Sequence, residues 1–525
     1  MKLYPTKVAV HLALAGAGVV GAGLVTGHAA IVAWGAAVVL GVAVARAATL
    51  VSVARIRAAG FEMLWSTTER TARVGRGGEV VLSAEVRNRD TLAARYVGLR
   101  AIASSQVEVT IDPRDGEVPA SGKLRVTVTV KAPRVGRHGL FGLALEVRGA
   151  PGLFEVPLTF ANPYGVEVMP GPYQTTLKTA LGGRARMAAL GGRSGRARGE
   201  GSDLREVREH QSGDPFKRIA WRASARRGKL MVREMEHEER DVVWIVLDAS
   251  AELWAGALGL APLDLAIDDA AAIAGRHLAG GDRVGLVIVA GRVLATVELG
   301  RGVAHANKIH EALAHATATY DRDRSDLDEA DVALRVIEHL RPLDPNGLAD
   351  VARRDFDRLL NRADAARARA PFRPAELPDA PTTRERRLRQ YLAAFGIECP
   401  PKNEPEGPRT IETLARALGE LAKLRPRPSV VYAIAPPPAV ANARLDASLR
   451  RLSAGGAKTR WVPVRFEPGL TGIDDGRVEA AVLVRATIAR KAAEGERAVR
   501  VLRRMGVRVE RLHGARRARA VEAAG

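Results

Sequence analysis

One cysteine in 525 residues, Cys399, leaves no internal disulfide framework and no multi-cysteine zinc or iron–sulfur site. Aromatic side chains make up only 4% of the chain, which argues against the base-stacking platforms of single-strand nucleic-acid binders. Residues 8–45 contain no Asp, Glu, Lys or Arg, and only His11 and His28 interrupt their apolar and small side chains. What is abundant is Arg amid Ala and Gly: 80 basic against 59 acidic residues give a net charge of +21. A specific polyanion site needs that charge clustered, and a high total does not supply the clustering. With 47% hydrophobic residues the chain has the means to bury a core, and its length allows roughly three domains.

A membrane span takes about 20 apolar residues. The uncharged run therefore suits two helices, near residues 8–25 and 29–53, turned at Thr26-Gly27-His28. Gly16, Gly18, Gly21, Gly23, Gly35 and Gly41 would let the two backbones approach closely. A signal peptide cleaved near His28-Ala29-Ala30 and a buried core hairpin are the competing readings; the second apolar run directly behind the first favours a retained hairpin. Lys2 and Lys7 lie before it and Arg46, Arg55 and Arg57 after it. The positive-inside rule then places both ends, and the whole remaining chain, in the cytoplasm. Residues 1–57 are expected to form this hairpin.

From about 67 to 168 the period is two, within an expected domain of 58–170. Leu124, Val126, Val128 and Val130 alternate with Arg125, Thr127, Thr129 and Lys131, and Val80, Leu82, Ala84 and Val86 repeat the pattern. Turn signals at Arg76-Gly77-Gly78, Asn88-Arg89-Asp90 and Pro113-Arg114-Asp115-Gly116 separate short strands, as in a small β-sandwich. After 240 strands and helices take turns. Residues 242–247 are a continuous apolar run, as in a strand buried on both faces, and 283–289, 429–434, 461–466 and 507–512 are further strand candidates. Helical runs at 265–278, 303–318, 445–452 and 480–504 lie between them, so 241–525 reads as a doubly wound, mainly parallel α/β domain. A charged, Pro-punctuated stretch at about 320–428 interrupts it; its helical runs 329–340 and 413–424 mark a mostly helical insertion.

The stretch 171–240 begins with Gly/Arg-rich chain and ends in the most informative block, 199–250. In it Leu204-Arg205, Arg208-Glu209, Gly213-Asp214, Arg218-Ile219, Trp221 and Ser224-Ala225-Arg226 occur in order, followed by Leu230, Val232, Glu238, Asp248 and Ser250. This series resembles the signature of the bacterial membrane-protein family known as domain of unknown function fifty-eight. Ala220 stands where an acid usually precedes the tryptophan, and His210 where an aromatic ring is usual. The resemblance implies a von Willebrand A-like α/β domain and a working association with MoxR-type AAA+ ATPases. On the residues alone, Asp214 would bond turn amides or pair with Arg218, and Trp221 offers a large apolar area with an N–H that needs a partner. Arg226 and Arg233 have Glu234, Glu236 and Glu238 nearby, so an ion network docking the block on the sheet is favoured over a partner surface.

Domains of that kind often hold Mg²⁺ through Asp-x-Ser-x-Ser, and hard divalent cations want such oxygen ligands. Asp248, Ser250 and Glu252 are the candidate metal ligands here. Glu252 replaces the last Ser, and the later loop Ala435-Pro436-Pro437-Pro438 contains no acid, so a capping role for Asp248 is favoured over Mg²⁺. Residues 116–123 miss the phosphate-loop spacing, and His237-Glu238 is not followed by a second His at helical spacing. No catalytic residue or cofactor is expected. The expected function is that of a membrane-anchored, non-catalytic interaction protein acting with a MoxR-type ATPase in assembly or stress-related envelope processes. A structural scaffold of an envelope complex and a membrane-tethered binder of nucleic acid or anionic lipid are the alternatives.

Overall fold

The computed structural model describes residues 3–59, 61–149, 152–170, 204–212, 214, 216–235, 241–343, 355–373, 377, 380–438, 442–464 and 478–510. The chain divides into two compact units, 1–169 together with 318–402, and 170–317 together with 403–525.

The first unit starts with two helices, Lys7–Thr26 and Ala29–Ala59. Residues Lys7–Thr26 and Ala29–Ser52 are each long and apolar enough to cross a membrane, with a mean hydropathy of 2.0. Thr6 caps the first helix through the Ala9 amide, and Gly27 ends it in the left-handed conformation. The helices cross so closely that a Cβ on Gly23 would meet the Val32 nitrogen at 2.7 Å, and one on Gly35 the Val20 nitrogen at 2.6 Å. Gly18, Gly21 and Gly41 face open space, so only part of the small-residue series serves the contact.

Two sheets follow. One runs Phe61–Trp65, Glu79–Asn88, Lys123–Lys131, Glu108–Asp112. The other is built on the long strands Gly136–Gly149 and Phe154–Met169, with Ala94–Ala103 beside the first and Thr71–Gly75 parallel to the second. Leu82 pairs with Val128 and Ala84 with Val126. These four side chains, with Val86 and Val130, are buried, while Arg125 and Lys131 on the alternate positions are exposed.

The helical stretch expected as an insertion of about 320–428 divides at residue 402. Its 318–402 part belongs to the sandwich unit and forms the helices Glu329–Leu343, Phe356–Ala366 and Thr383–Phe395. Their core joins Val332, Val336, Leu340, Leu388 and Leu392 with Phe395 and Cys399. Arg389, wholly buried, holds it together: it pairs with Glu385 at 2.8 Å and donates to the Tyr320 carbonyl, the Ser325 hydroxyl and the Leu327 carbonyl. The sandwich receives the helices through specific polar contacts. Ser104 donates to the Gly396 carbonyl at 3.0 Å, and Ser105 to Glu398 at 2.6 Å. Burial works against the Glu398 charge, yet Ser105, the Gln106 amide and nearby His138 hold its carboxyl below the ordinary range. Phe141 of the sandwich meets the His339 ring edge-on at 4.7 Å.

In the second unit the strand Val242–Asp248 lies at the centre of a sheet, buried at every position. Arg283–Val289 and Val430–Ala435 flank it, both parallel; Lys458–Pro463 and Arg508–Val509 extend the sheet in parallel, and Val293–Gly300 closes the other edge antiparallel. Trp244, Val246, Val431, Ala433 and Trp461 meet the helices Gly407–Leu421 and Ala443–Ala454. The helix Pro262–Ala279 also packs on Val242–Asp248 and its neighbours. Gly407–Leu421 thus belongs to the sheet although it lies within 320–428, because its Leu414, Ala415 and Leu418 complete the apolar layer over Val431 and Trp244. Observed element ends differ from the expected ones by up to six residues, most at Gly407–Leu421 against 413–424 and at Ala29–Ala59 against 29–53; the last strand is Arg508–Val509 against 507–512, of which 511 and 512 lie outside the described residues.

His339 gives this fold a pH signature. Burial pushes its pKa down to about 3, so the folded chain keeps it neutral while the unfolded chain protonates it near the ordinary value of 6.5. A group depressed in this way stabilises above the unfolded pKa and loses that contribution as pH falls. Between pH 7 and 5 the loss is about 2 kcal/mol. Unfolding of wild type and His339→Phe at both pH values should show the variant with the shallower acid slope; identical slopes would exclude His339 as the source.

Candidate functional site

The carboxyl end of the central strand brings together the expected metal candidates. Asp248 is the last residue of that strand, and Asp248 and Ser250 are buried. The Ser250 amide donates to Asp248 Oδ1 at 2.8 Å, the local capping turn expected from an Asp at a strand end. Glu252 lies in the single helical turn Ala251–Trp254, and its Oε1 accepts from the Gly407 amide at 2.8 Å. Glu406 reaches back to the Ala251 amide at 3.3 Å. The two loops are therefore clasped by a reciprocal pair of carboxylate–amide bonds at the start of the helix Gly407–Leu421, where the helix dipole favours negative charge.

Glu406 was not foreseen. It stands more than 150 residues from Glu252, and no local spacing links them. Burial pushes the Asp248 pKa up to about 6; the hydrogen bonds from Ser250 oppose that shift, and the charges of Glu252 and Glu406 add to it. Asp248, Glu252 and Glu406 each accept from a backbone amide, and no group of three or more His, Cys, Asp or Glu side chains suited to a metal occurs among the described residues. The arrangement acts as a clasp between the two loops.

The signature block forms an antiparallel ribbon, Leu204–Glu209 against Met231–Met235, with the short helix Trp221–Arg227 between. Asp214 takes both terminal guanidinium nitrogens of Arg208 at 2.7 Å and the Gln211 amide at 2.8 Å. That pairing holds its carboxyl far below the usual carboxylate range. Asp214 does bond a turn amide as expected, and Arg208 is its ion-pair partner; the Arg218 side chain is outside the described set. Ser224 accepts from the Met231 amide at 2.8 Å and donates to the Ala220 carbonyl, tying helix to strand. Ala220 is buried, so an acid at that position would lose its solvent.

Trp221 lies on the surface: it is 65% exposed, and Phe216 is 75% exposed. Ala225, Arg226 and Arg233 are exposed too. The side chains of Leu204, Arg205 and Glu234, and all of Gly213, Glu236 and Glu238, lie outside the described residues, so the expected ion network has no described acid partners. The hairpin is held by Asp214–Arg208 and Ser224–Met231, and its tryptophan is left on the surface.

A family model described as "Protein of unknown function DUF58" matches residues 206–367. Uncharacterized proteins of Mycobacterium tuberculosis and Mycobacterium bovis are 34% identical over 143 residues, 27% of this chain and 45% of theirs. The chain thus spans less than half the length of these relatives. Among solved structures, the ASH/PapD-like domain of human CEP192 is 14% identical, covering 22% of this chain and 87% of its own, with a TM-score of 0.17. Native alpha-2-macroglobulin from Escherichia coli is 13% identical over 84% of this chain and 54% of its own, with a TM-score of 0.18. Likeness at that level carries no argument.

The raised Asp248 pKa yields a test. An acid whose folded pKa exceeds its unfolded value stabilises fully below the unfolded pKa near 3.8, and the contribution is lost as pH rises through about 6. In EDTA, Asp248→Asn should therefore stabilise the chain at pH 8 by up to about 3 kcal/mol and give no gain at pH 4. Mg²⁺ added to wild type should leave the melting temperature unchanged. A Mg²⁺-dependent rise that disappears in Asp248→Asn would overturn the clasp reading.

Proposed function

We propose that this chain is a membrane-anchored, non-catalytic interaction protein whose contact surface is the outer side of the signature hairpin. The observation that carries it is the exposure of Phe216, Trp221 and Leu230 in one short segment that also exposes Arg222, Arg226 and Arg227. Trp and Arg are the residue types that dominate binding energy at protein interfaces, and an exposed Trp in a scarcely aromatic chain has no packing role to explain it. The partner implied by the family resemblance is a MoxR-type AAA+ ATPase. The parallel sheet supports a von Willebrand A-like, doubly wound reading of the second unit, and the two apolar helices support anchoring in a bacterial inner membrane with the rest of the chain in the cytoplasm. On this reading the clasp at Asp248 shapes the sheet end and takes no part in chemistry.

Affinity capture from detergent-solubilised membranes tests the partner. Wild type should retain the co-encoded ATPase in at least one nucleotide state, and Trp221→Ala with Phe216→Ala should lower retention at least tenfold at an unchanged melting temperature. ATPase retention unaffected by the double substitution would move the contact elsewhere. No ATPase in any nucleotide state would favour the scaffold reading, and salt-sensitive retention of nucleic acid or anionic vesicles would favour the polyanion reading.

Topology is tested separately. A reporter fused after Gly525 should be active only in its cytoplasmic form, and a mature chain beginning near Ala29 would show that the first helix is a cleaved signal.

A further inference from the structure

Within the first unit a cavity of about 210 Å³ lies between the sandwich and the helix Glu329–Leu343. Phe141, Ala161 and Ile397 are among its apolar lining residues, and Arg335, Glu338 and His339 among its polar ones. Its volume matches the share of roughly seven waters in the liquid, room for a molecule of similar heavy-atom count.

His339 lines this space, is 91% buried, and its Nε2 has no hydrogen-bond partner. The tautomer follows from its neighbour. The buried Tyr391 hydroxyl has His339 Nδ1, at 2.8 Å, as its one hydrogen-bond partner among the described residues. To satisfy its own proton the hydroxyl must donate to Nδ1, which leaves the proton of the neutral imidazole on Nε2. A buried N–H without an acceptor is costly, so the cavity contains an unmet donor. Arg335, half-buried on the same helix, spends one nitrogen on the Glu398 carbonyl at 2.8 Å and keeps donors to spare. The Glu338 carboxylate is on an exposed residue, at the solvent side.

We propose that this cavity is a binding site for a small apolar carboxylate, its oxygen accepting from His339 Nε2–H and facing Arg335, its hydrocarbon body against Phe141, Ala161 and Ile397. Pockets with mostly apolar walls and a few placed polar groups bind ligands of this kind. The site is independent of the signature hairpin.

Hexanoate is a suitable probe because it is water-soluble and has eight non-hydrogen atoms. Titration of the full chain in mild detergent, followed by saturation-transfer NMR and calorimetry, should give saturable binding in the millimolar range or tighter. His339→Phe should weaken it at least tenfold, Arg335→Gln several-fold, and Ala161→Leu, which fills the space, should abolish it while the melting temperature holds. Hexylamine, whose ammonium head has only donors and cannot accept from His339 Nε2–H, should not compete. Absence of saturable hexanoate binding, equal binding of hexylamine, or undiminished binding by both His339→Phe and Ala161→Leu would each overturn the proposal.

Discussion

The buried guanidinium of Arg389 is the constraint on which the first unit depends. A charge taken wholly out of water is tolerated only when an opposite charge and further acceptors replace its hydration. Glu385 supplies the charge, and the Tyr320 carbonyl, the Ser325 hydroxyl and the Leu327 carbonyl supply the rest. Those three acceptors lie on the segment by which the chain enters the helical stretch. One side chain on the helix Thr383–Phe395 therefore fixes the entry path and, through it, the position of the helix carrying His339. Its removal would leave the buried Glu385 with only the more distant Arg322, at 3.6 Å, to offset its charge, a larger loss than the ion pair itself is worth.

The second unit rests on a different principle. Its central strand has no polar side chain before Asp248, and its stability comes from two apolar faces covered by helices. Polarity reappears where the strands end. There the carboxylates of Asp248, Glu252 and Glu406 hold loops that no apolar contact could align, since loop backbone offers unpaired amides and a carboxylate can accept them. Each unit thus uses buried charge for placement and apolar area for cohesion.

Much of this organisation was legible in the sequence. The alternation Leu124–Val130 and the continuous run 242–247 are local signals, and the strands they predict are present. The acid-free run at the start reads directly as two helices long enough to cross a membrane. What was not legible depends on single long-range contacts. Nothing in the composition of 318–402 tells that Ser104 will bond the Gly396 carbonyl, or that the stretch will join the sandwich and leave the sheet. At the candidate site the Asp248 turn could be read from its neighbours, whereas Glu406 could not, being distant in the chain. The exposure of Trp221 was equally hidden, because a short helix of the sequence Trp-Arg-Ala-Ser-Ala-Arg-Arg has no apolar stripe to say which side faces inward.

The first unit is assembled from two stretches of chain, 1–169 and 318–402, with 148 residues of the other unit between them. On a ribosome adding about 5–20 residues per second, the sandwich emerges on the order of ten seconds or more before the helices that complete it. During that interval Phe141 and the strand face around it have no native cover. The nascent chain must therefore keep an unfinished apolar surface out of reach of its neighbours while the intervening segment is made.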